Sequence, residues 1–374
     1  MKSGTVIDAA TGEALWSLQP HRRRLIASTT KIMTALVAIS RSRPDQLLTV
    51  ATYHPDPAES LVGLKPGERM TADDLLKALL LESANDAADT LAARLASSRA
   101  AFVAAMNRRA RTLGLSETHF GNPIGLDIPR TVSSAHDLAR LATVAMREPR
   151  FRSIVGRKRA TLRSGSRERH ILNRNKLVTD YSYVDGVKTG HTLKAGYLMV
   201  GSAVRGDARV ISVVMGEPSE RGRWGDSIKL LRFGRGFFKS VRPVIAGRTL
   251  TRLPVALRDS TAPVYAKRGV GFALRDGEGY AVKLAASKEL DGPLAAGSRV
   301  GTVTVTRNGR KIGETAAYLR SAVPAPSIQA VLLHQLQRLL PVLLLLTIVF
   351  MIGLLLLRRR PRGIGGAIVR PFAQ

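Results

Sequence analysis

The chain has 374 residues, 45% of them apolar, with 58 Lys and Arg against 28 Asp and Glu, a formal net charge of +30 and no cysteine. That length holds two or three domains with sizeable cores, and the missing thiols exclude cysteine nucleophiles, disulfides and cysteine-ligated zinc. The charge attracts polyanions, but the basic residues are scattered, aromatics make up only 5% and no zinc-finger spacing or Arg-Gly tract occurs, so the balance points to an anionic wall or membrane surface and not to nucleic acid.

Residues 4–18 read as two short strands joined at the turn pair Thr11-Gly12. Ser28-Thr-Thr-Lys31 follows, just where Ile32, Met33, Leu36 and Val37 begin a helical apolar stripe. Positions three apart share a helix face, so the Lys31 amine reaches the Ser28 hydroxyl. A serine hydroxyl becomes a nucleophile when a neighbouring base takes its proton. Lysine becomes that base when burial and a second cation push it toward its neutral form. Thr71-Ala-Asp-Asp74 has the form of a capping box and predicts a helix through Leu81. Helices are expected over 86–96, over 100–113 with Gly114 as stop signal, and over 135–147, so that 70–150 forms a helical block between β-containing ends. Ser83-Ala-Asn85 lies inside this block, and Lys188-Thr-Gly190-His191 lies beyond it.

Tyr197–Val204 and Arg209–Met215 flank Arg205-Gly-Asp-Ala208 as a hairpin, and 224–239 reads as a helix covering the sheet. After Pro243 the texture changes to short alternating stretches, Leu253–Leu257, Tyr280–Leu284, Arg299–Thr306 and Lys311–Ala317, which predict a small all-β domain. A linker over 321–338 leads to nineteen uncharged residues, Leu339 to Leu357, enough for about 28 Å of membrane-spanning helix. Pro341 falls in the expected first turn, where its missing N–H costs little. Arg358-Arg-Arg-Pro-Arg362 opens a basic tail over 358–374 and marks the cytoplasmic side of a cell membrane, with the preceding chain outside. The opening MKSGTVIDAATGEALWS has no apolar core of signal-peptide length, so the true start is expected upstream of Met1.

Ser-x-x-Lys, Ser-x-Asn and Lys-Thr-Gly, in that order, form the signature of penicillin-binding proteins and serine β-lactamases. The chain resembles the serine-type D-alanyl-D-alanine carboxypeptidases, the low-molecular-mass penicillin-binding proteins, over about 4–240 and in outline over 245–320. Ala27–Thr34, Leu80–Ala88, Phe120–Leu126 and Gly186–Thr192 followed by Ala195-Gly-Tyr197 carry the likeness. The resemblance implies a mixed α/β catalytic domain over 1–240 with the penicillin-binding/β-lactamase-like transpeptidase fold. There, helices flank an antiparallel five-stranded sheet beside a helical lobe. A small β-sandwich stalk over 245–320 is implied to follow.

The same resemblance implies the roles. Ser28 attacks the carbonyl between two D-alanines of a peptidoglycan stem peptide, and Lys31 accepts its proton. Backbone N–H groups of Ser28 and His191 form the oxyanion hole, while the His191 side chain faces solvent. Ser83 relays a proton to the leaving amine, and Asn85 bonds the substrate peptide or Lys31. Lys188 places positive charge beside Ser83 and helps keep Lys31 neutral. Thr189 and Arg223 hold the substrate carboxylate, and Gly190 lets substrate backbone lie against its strand. β-Lactams are the implied covalent inhibitors, and no metal or cofactor is required.

Two stretches depart from the family. Arg130-Thr-Val-Ser-Ser134 replaces a His-Tyr-Ser-Thr-like run, and a spanning helix replaces an amphipathic surface helix. A DD-endopeptidase shares the chemistry and is separated by its action on a cross-linked dimer. A β-lactamase would need a carboxylate for the deacylating water, and no convincing Glu-x-x-x-Asn segment precedes Lys188. An inactive scaffold would fail to acylate with a labelled penicillin. Walker-type loops, Gly-x-Gly-x-x-Gly and His-Glu-x-x-His are absent, and His54 with Asp56 and His136 with Asp137 read as loop and helix-cap residues.

Overall fold

A computed structural model describes residues 1–128 and 130–358; the rest of the basic tail, from Arg359, lies outside the described residues. Two compact units result, one made of Met1–Val241 with Gly271–Glu278, the other of Arg242–Val270 with the chain from Gly279 on. The segment 271–278, expected in the stalk, thus belongs to the first unit. Asp207 accepts from the Ala273 amide there, and Arg275 pairs with Glu13 at 2.8 Å.

The first unit is built on five strands: β1 (Ser3–Asp8), β2 (Ala14–Leu18), β3 (Val184–Thr192), β4 (Gly196–Arg205) and β5 (Ala208–Glu217). Their order is β2-β1-β5-β4-β3, and every neighbouring pair is antiparallel. Its helices include α1 (Lys31–Ile39), α2 (Ala72–Lys77), α3 (Asn85–Arg94), α4 (Arg99–Thr112), α5 (Ala135–Arg147) and α6 (Glu220–Gly236). The central strand β5 reads Val-Ile-Ser-Val-Val-Met because both of its faces are covered, and successive side chains alternate between two cores. Ile211, Val213 and Met215 join Leu138, Leu141 and Ala145 of α5, whereas Val210 and Val214 join Ile228 and Leu231 of α6. Each of these valine, leucine, isoleucine and methionine side chains, taken out of water, contributes about 1.5–3 kcal/mol.

Side-chain caps set the helix starts. Thr71, Ser98, Ser134 and Ser219 accept from backbone amides of Asp74, Ala101, Asp137 and Gly222 at 3.0–3.2 Å. The Ser219 cap opens α6 at Glu220, four residues before the expected start. After α2 the chain winds on as a π-turn, Ala78–Glu82, and stops at Ser83, whose φ of 63° is left-handed. Short helices at Pro149–Val155 and Lys176–Asp180 and the two-residue pair Arg24–Leu25 with Val132–Ser133 had no counterpart in the sequence reading.

The C-terminal β domain has a second antiparallel sheet. It contains β6 (Thr249–Pro254), β7 (Thr261–Ala266), β8 (Tyr280–Ala286), β9 (Arg299–Arg307) and β10 (Arg310–Leu319), in the order β6-β7-β10-β9-β8. Strand β7 was not anticipated. Helix α7 spans Ile328–Arg358, so it begins inside the stretch expected as linker. Pro341 therefore stands in the helix interior and not in its first turn, and it leaves the Gln337 carbonyl without an i+4 donor. Ile328–Leu356 is 29 residues, with a most apolar window of mean hydropathy 3.0, long and apolar enough to cross a bilayer.

Candidate active site

Ala27–Thr30 forms one 3₁₀ turn that runs straight into α1. In 3₁₀ geometry residues i and i+3 eclipse, which sets Lys31 directly over Ser28. Thr29 Oγ1 ties the turn down by donating to the Ile26 carbonyl at 2.6 Å. Lys31 is fully buried, an unusual state for an amine, and all its polar partners are defined. Its Nζ donates to Asn85 Oδ1 at 2.6 Å and to the Ile124 carbonyl at 2.7 Å, and lies 3.1 Å from Ser28 Oγ. Lys31 is one of the two partners expected for Asn85.

Two glycines let other segments reach this turn. A Cβ on Gly190 in β3 would stand 3.3 Å from both the Ile26 carbonyl oxygen and the Ser28 nitrogen. Close packing of the strand edge against the Ser28 turn is thus a reason for glycine at 190. Gly125 has a φ of +93° and meets Ala27 even more closely.

Burial pushes Lys31 down to about 7; Arg174 adds to that push, while Glu59 and Asp86 oppose it. The second cation acting on Lys31 is therefore Arg174. The repulsion expected from Lys188 falls on Lys188 itself, driven well below its usual range by burial and then by Lys31, Arg174 and Arg223. Lys188 Nζ donates to the Thr189 carbonyl at 3.0 Å. Against the upward push of burial, donors from Tyr53 and Asn85 hold the Glu59 carboxyl down.

One cleft of about 390 Å³ is lined by Ser28, Ser83, Thr189, Gly190, His191 and Arg223 among the residues expected from sequence, and Lys31, Asn85 and Lys188 lie buried beneath its floor. The left-handed Ser83 ends the π-turn with its side chain nearly buried. The His191 ring is exposed and stacks on Tyr197 at 3.9 Å. Arg223 is 5% exposed; it pairs with Glu220 at 2.6 Å and lies over the Trp224 ring. Its buried Nε has no hydrogen-bond partner among the described residues.

Sequence reasoning missed the groups that face Lys31 from loops. Glu59 accepts from Asn85 Nδ2 at 2.6 Å and from the Tyr53 hydroxyl. Arg174 donates to Ser60 Oγ at 2.7 Å and to Glu82 at 3.0 Å. These residues sit 6 to 114 positions from their partners, in segments with no periodicity, and no local signal marks them. Among the described residues the grouping closest to a metal-ligand set is His21, Glu117 and His136, which do not line the cleft. Those three are joined by a His21–Glu117 bond of 2.9 Å and a tilted ring contact, which account for them as a bridge between surface turns.

The chain is similar to known proteins over most of its length. A family profile described as D-alanyl-D-alanine carboxypeptidase matches residues 1–219, and one described as penicillin-binding protein 5, C-terminal domain, matches 238–325. The D-alanyl-D-alanine carboxypeptidase DacA of Escherichia coli (strain K12) is 36% identical over 340 residues, spanning 86% of this chain and 83% of the relative. DacB2 of Mycobacterium tuberculosis (strain ATCC 25618 / H37Rv), also a D-alanyl-D-alanine carboxypeptidase, is 38% identical over 61% of this chain and 80% of its own. The crystal structure of penicillin binding protein 5 from Haemophilus influenzae superposes with a TM-score of 0.60 at 29% identity, covering 86% of this chain and 97% of that one. With this profile over residues 1–219 and relatives alike over most of their length, the chain belongs to the D-alanyl-D-alanine carboxypeptidase family.

Proposed function

We propose that this protein is a serine-type D-Ala-D-Ala carboxypeptidase that removes the terminal D-alanine from peptidoglycan stem peptides through an acyl-enzyme on Ser28. The observation that carries the reading is the buried Lys31 amine 3.1 Å from Ser28 Oγ. A neutral amine has two N–H groups and one lone pair. Asn85 Oδ1 and the Ile124 carbonyl, at 2.6 and 2.7 Å, take the two N–H groups and leave the lone pair for the Ser28 hydroxyl. Ser28 Oγ then attacks the penultimate D-alanine carbonyl as Lys31 takes its proton. Amides of Ser28 and His191 receive the developing oxyanion, and Ser83 passes a proton to the departing D-alanine amine. Thr189 and Arg223 bind the terminal carboxylate, with the unpaired Arg223 Nε as an open donor. Water hydrolyses the acyl-enzyme, and a β-lactam enters by the same first step and stays bound.

Helix α7 anchors the protein in this reading, with the catalytic unit on the outer face of the cell membrane and the Arg358–Arg362 cluster inside. Incubation with a labelled penicillin and mapping of the adduct by mass spectrometry tests the nucleophile. D-alanine release from a free pentapeptide, compared with a cross-linked dimer, tests the substrate. An adduct on any residue but Ser28, or cleavage of the dimer alone, would overturn the assignment.

A further inference from the structure

Asn85 has two unlike ends, and both are engaged beneath the cleft. Oδ1 accepts from Lys31 Nζ, and Nδ2 donates to Glu59. A carboxamide in this place has two orientations that differ by a half-turn, and only its surroundings choose between them. An ionised carboxylate accepts and never donates, so Glu59 fixes Nδ2 on its own side and Oδ1 toward the amine. Glu59 is itself held. The Tyr53 hydroxyl and the Asp56 amide donate to it, and the Asn85 amide ties the loop to α3 by donating to the Ser60 carbonyl at 2.7 Å. Asp86 then pins the next stretch by accepting from the Val62 and Leu64 amides.

We infer that Glu59 is a positioning residue: it aims the Asn85 carboxamide at Lys31 and, opposed by Arg174 from the neighbouring loop, sets how strong a base that amine is. The inference rests on Lys31 as the proton acceptor. The charged groups acting on Lys31 are Glu59 and Asp86 on one sign and Arg174 on the other, with Arg174 paired to Glu82, while the neighbouring Lys188 is itself pressed by Lys31, Arg174 and Arg223. Glu59 acts on the amine through Asn85 and Arg174 lines the cleft, and both lie in loops apart from the Ser28 turn, so each is open to change without disturbing it.

The test is the rate of acylation by a fluorescent penicillin as a function of pH, on the full chain in detergent micelles. Glu59→Gln keeps an acceptor for Asn85 Nδ2 but removes the charge. The acid limb of its profile moves to lower pH by about one unit, because the amine loses a neighbour that favours its protonated form. Glu59→Ala moves the limb the same way and lowers the plateau about tenfold, as the carboxamide is freed to turn. Arg174→Met moves the limb upward. Thermal melts check that each variant is folded, and Glu59→Gln carries the test if the alanine variant is not. Limbs of both Glu59 variants coincident with wild type would overturn the inference and leave the carboxypeptidase reading standing. Absence of wild-type acylation at every pH would overturn both.

Discussion

Gly125 and Ala27 approach so closely that a Cβ at 125 would stand 2.0 Å from the Ala27 carbonyl oxygen and 3.0 Å from the Ser28 nitrogen. The obstacle is backbone, and the φ of +93° already disfavours any side chain. Gly125→Ala therefore displaces the nucleophile turn. It lowers stability by about 3 kcal/mol or more, read in a urea melt, and cuts penicillin acylation at least about tenfold.

Ser28→Ala abolishes D-alanine release and leaves the melting curve close to wild type, since one partly exposed hydroxyl is lost. Lys31→Ala lowers the acylation rate by about a thousandfold, the scale of a general base, while substrate KM changes far less. Normal turnover in either variant would refute the catalytic assignment.

The pH profile follows from Lys31, lowered to about 7 by burial. Protonated lysine accepts nothing, so kcat/KM rises with pH through about 7 and levels above it. Linkage gives a second readout. Below about 7 the amine is charged in both folded and unfolded chains, and the folded form carries the full cost of a buried charge. As pH climbs from there toward the usual lysine range, the unfolded chain binds the extra proton, so the contribution of Lys31 to stability becomes less unfavourable. A Lys31→Met variant lacks that upward slope in denaturant melts.

Arg223 is the cleft's buried guanidinium, already held by Glu220 and the Trp224 ring. Arg223→Ala lowers kcat/KM on a pentapeptide by about ten- to a hundredfold, the scale of one charge-assisted bond. Arg223→Lys restores little, because a point charge reproduces neither the fork nor the ring stacking. Acylation by a β-lactam lacking the carboxylate is insensitive to both changes.

Away from the cleft, Glu68 accepts from Arg169 at 2.9 and 3.0 Å and from the Ser166 amide at 2.6 Å. Burial raises this carboxyl, but the donors win and hold it at about 2. Its stabilisation is complete above the ordinary glutamate range and is lost as pH falls through about 2. Glu68→Gln flattens the acid side of the stability curve, and Arg169→Met, which strands a buried carboxylate, costs about 3–5 kcal/mol.

Much of this was legible in the residues. Helices α4 and α5 lie within one or two residues of their expected bounds, because Ser98 and Ser134 cap them and clear stripes run between. Ser28 and Lys31 meet through local spacing alone. Strand β3 was seen only as a motif, since a strand buried on both faces shows no alternation. Glu59 and Arg174 were invisible because they meet through space, each from a loop with no pattern of its own. The start of α7 was missed for a different reason. The expected span was bounded by the absence of charge, and Arg338 ended it, although a helix tolerates His334, Gln335, Gln337 and Arg338 on its way to the apolar run.

The wide turn at Ala78–Glu82 carries one residue more per circuit than the helix on which it is built. If the same residues closed into ordinary α-helix, the surplus one would carry everything after it round by about 100°. Ser83 would leave the cavity wall, and Asn85 would turn away from Lys31. The Lys31–Asn85 contact therefore depends on how residues are counted into that turn as well as on their kinds.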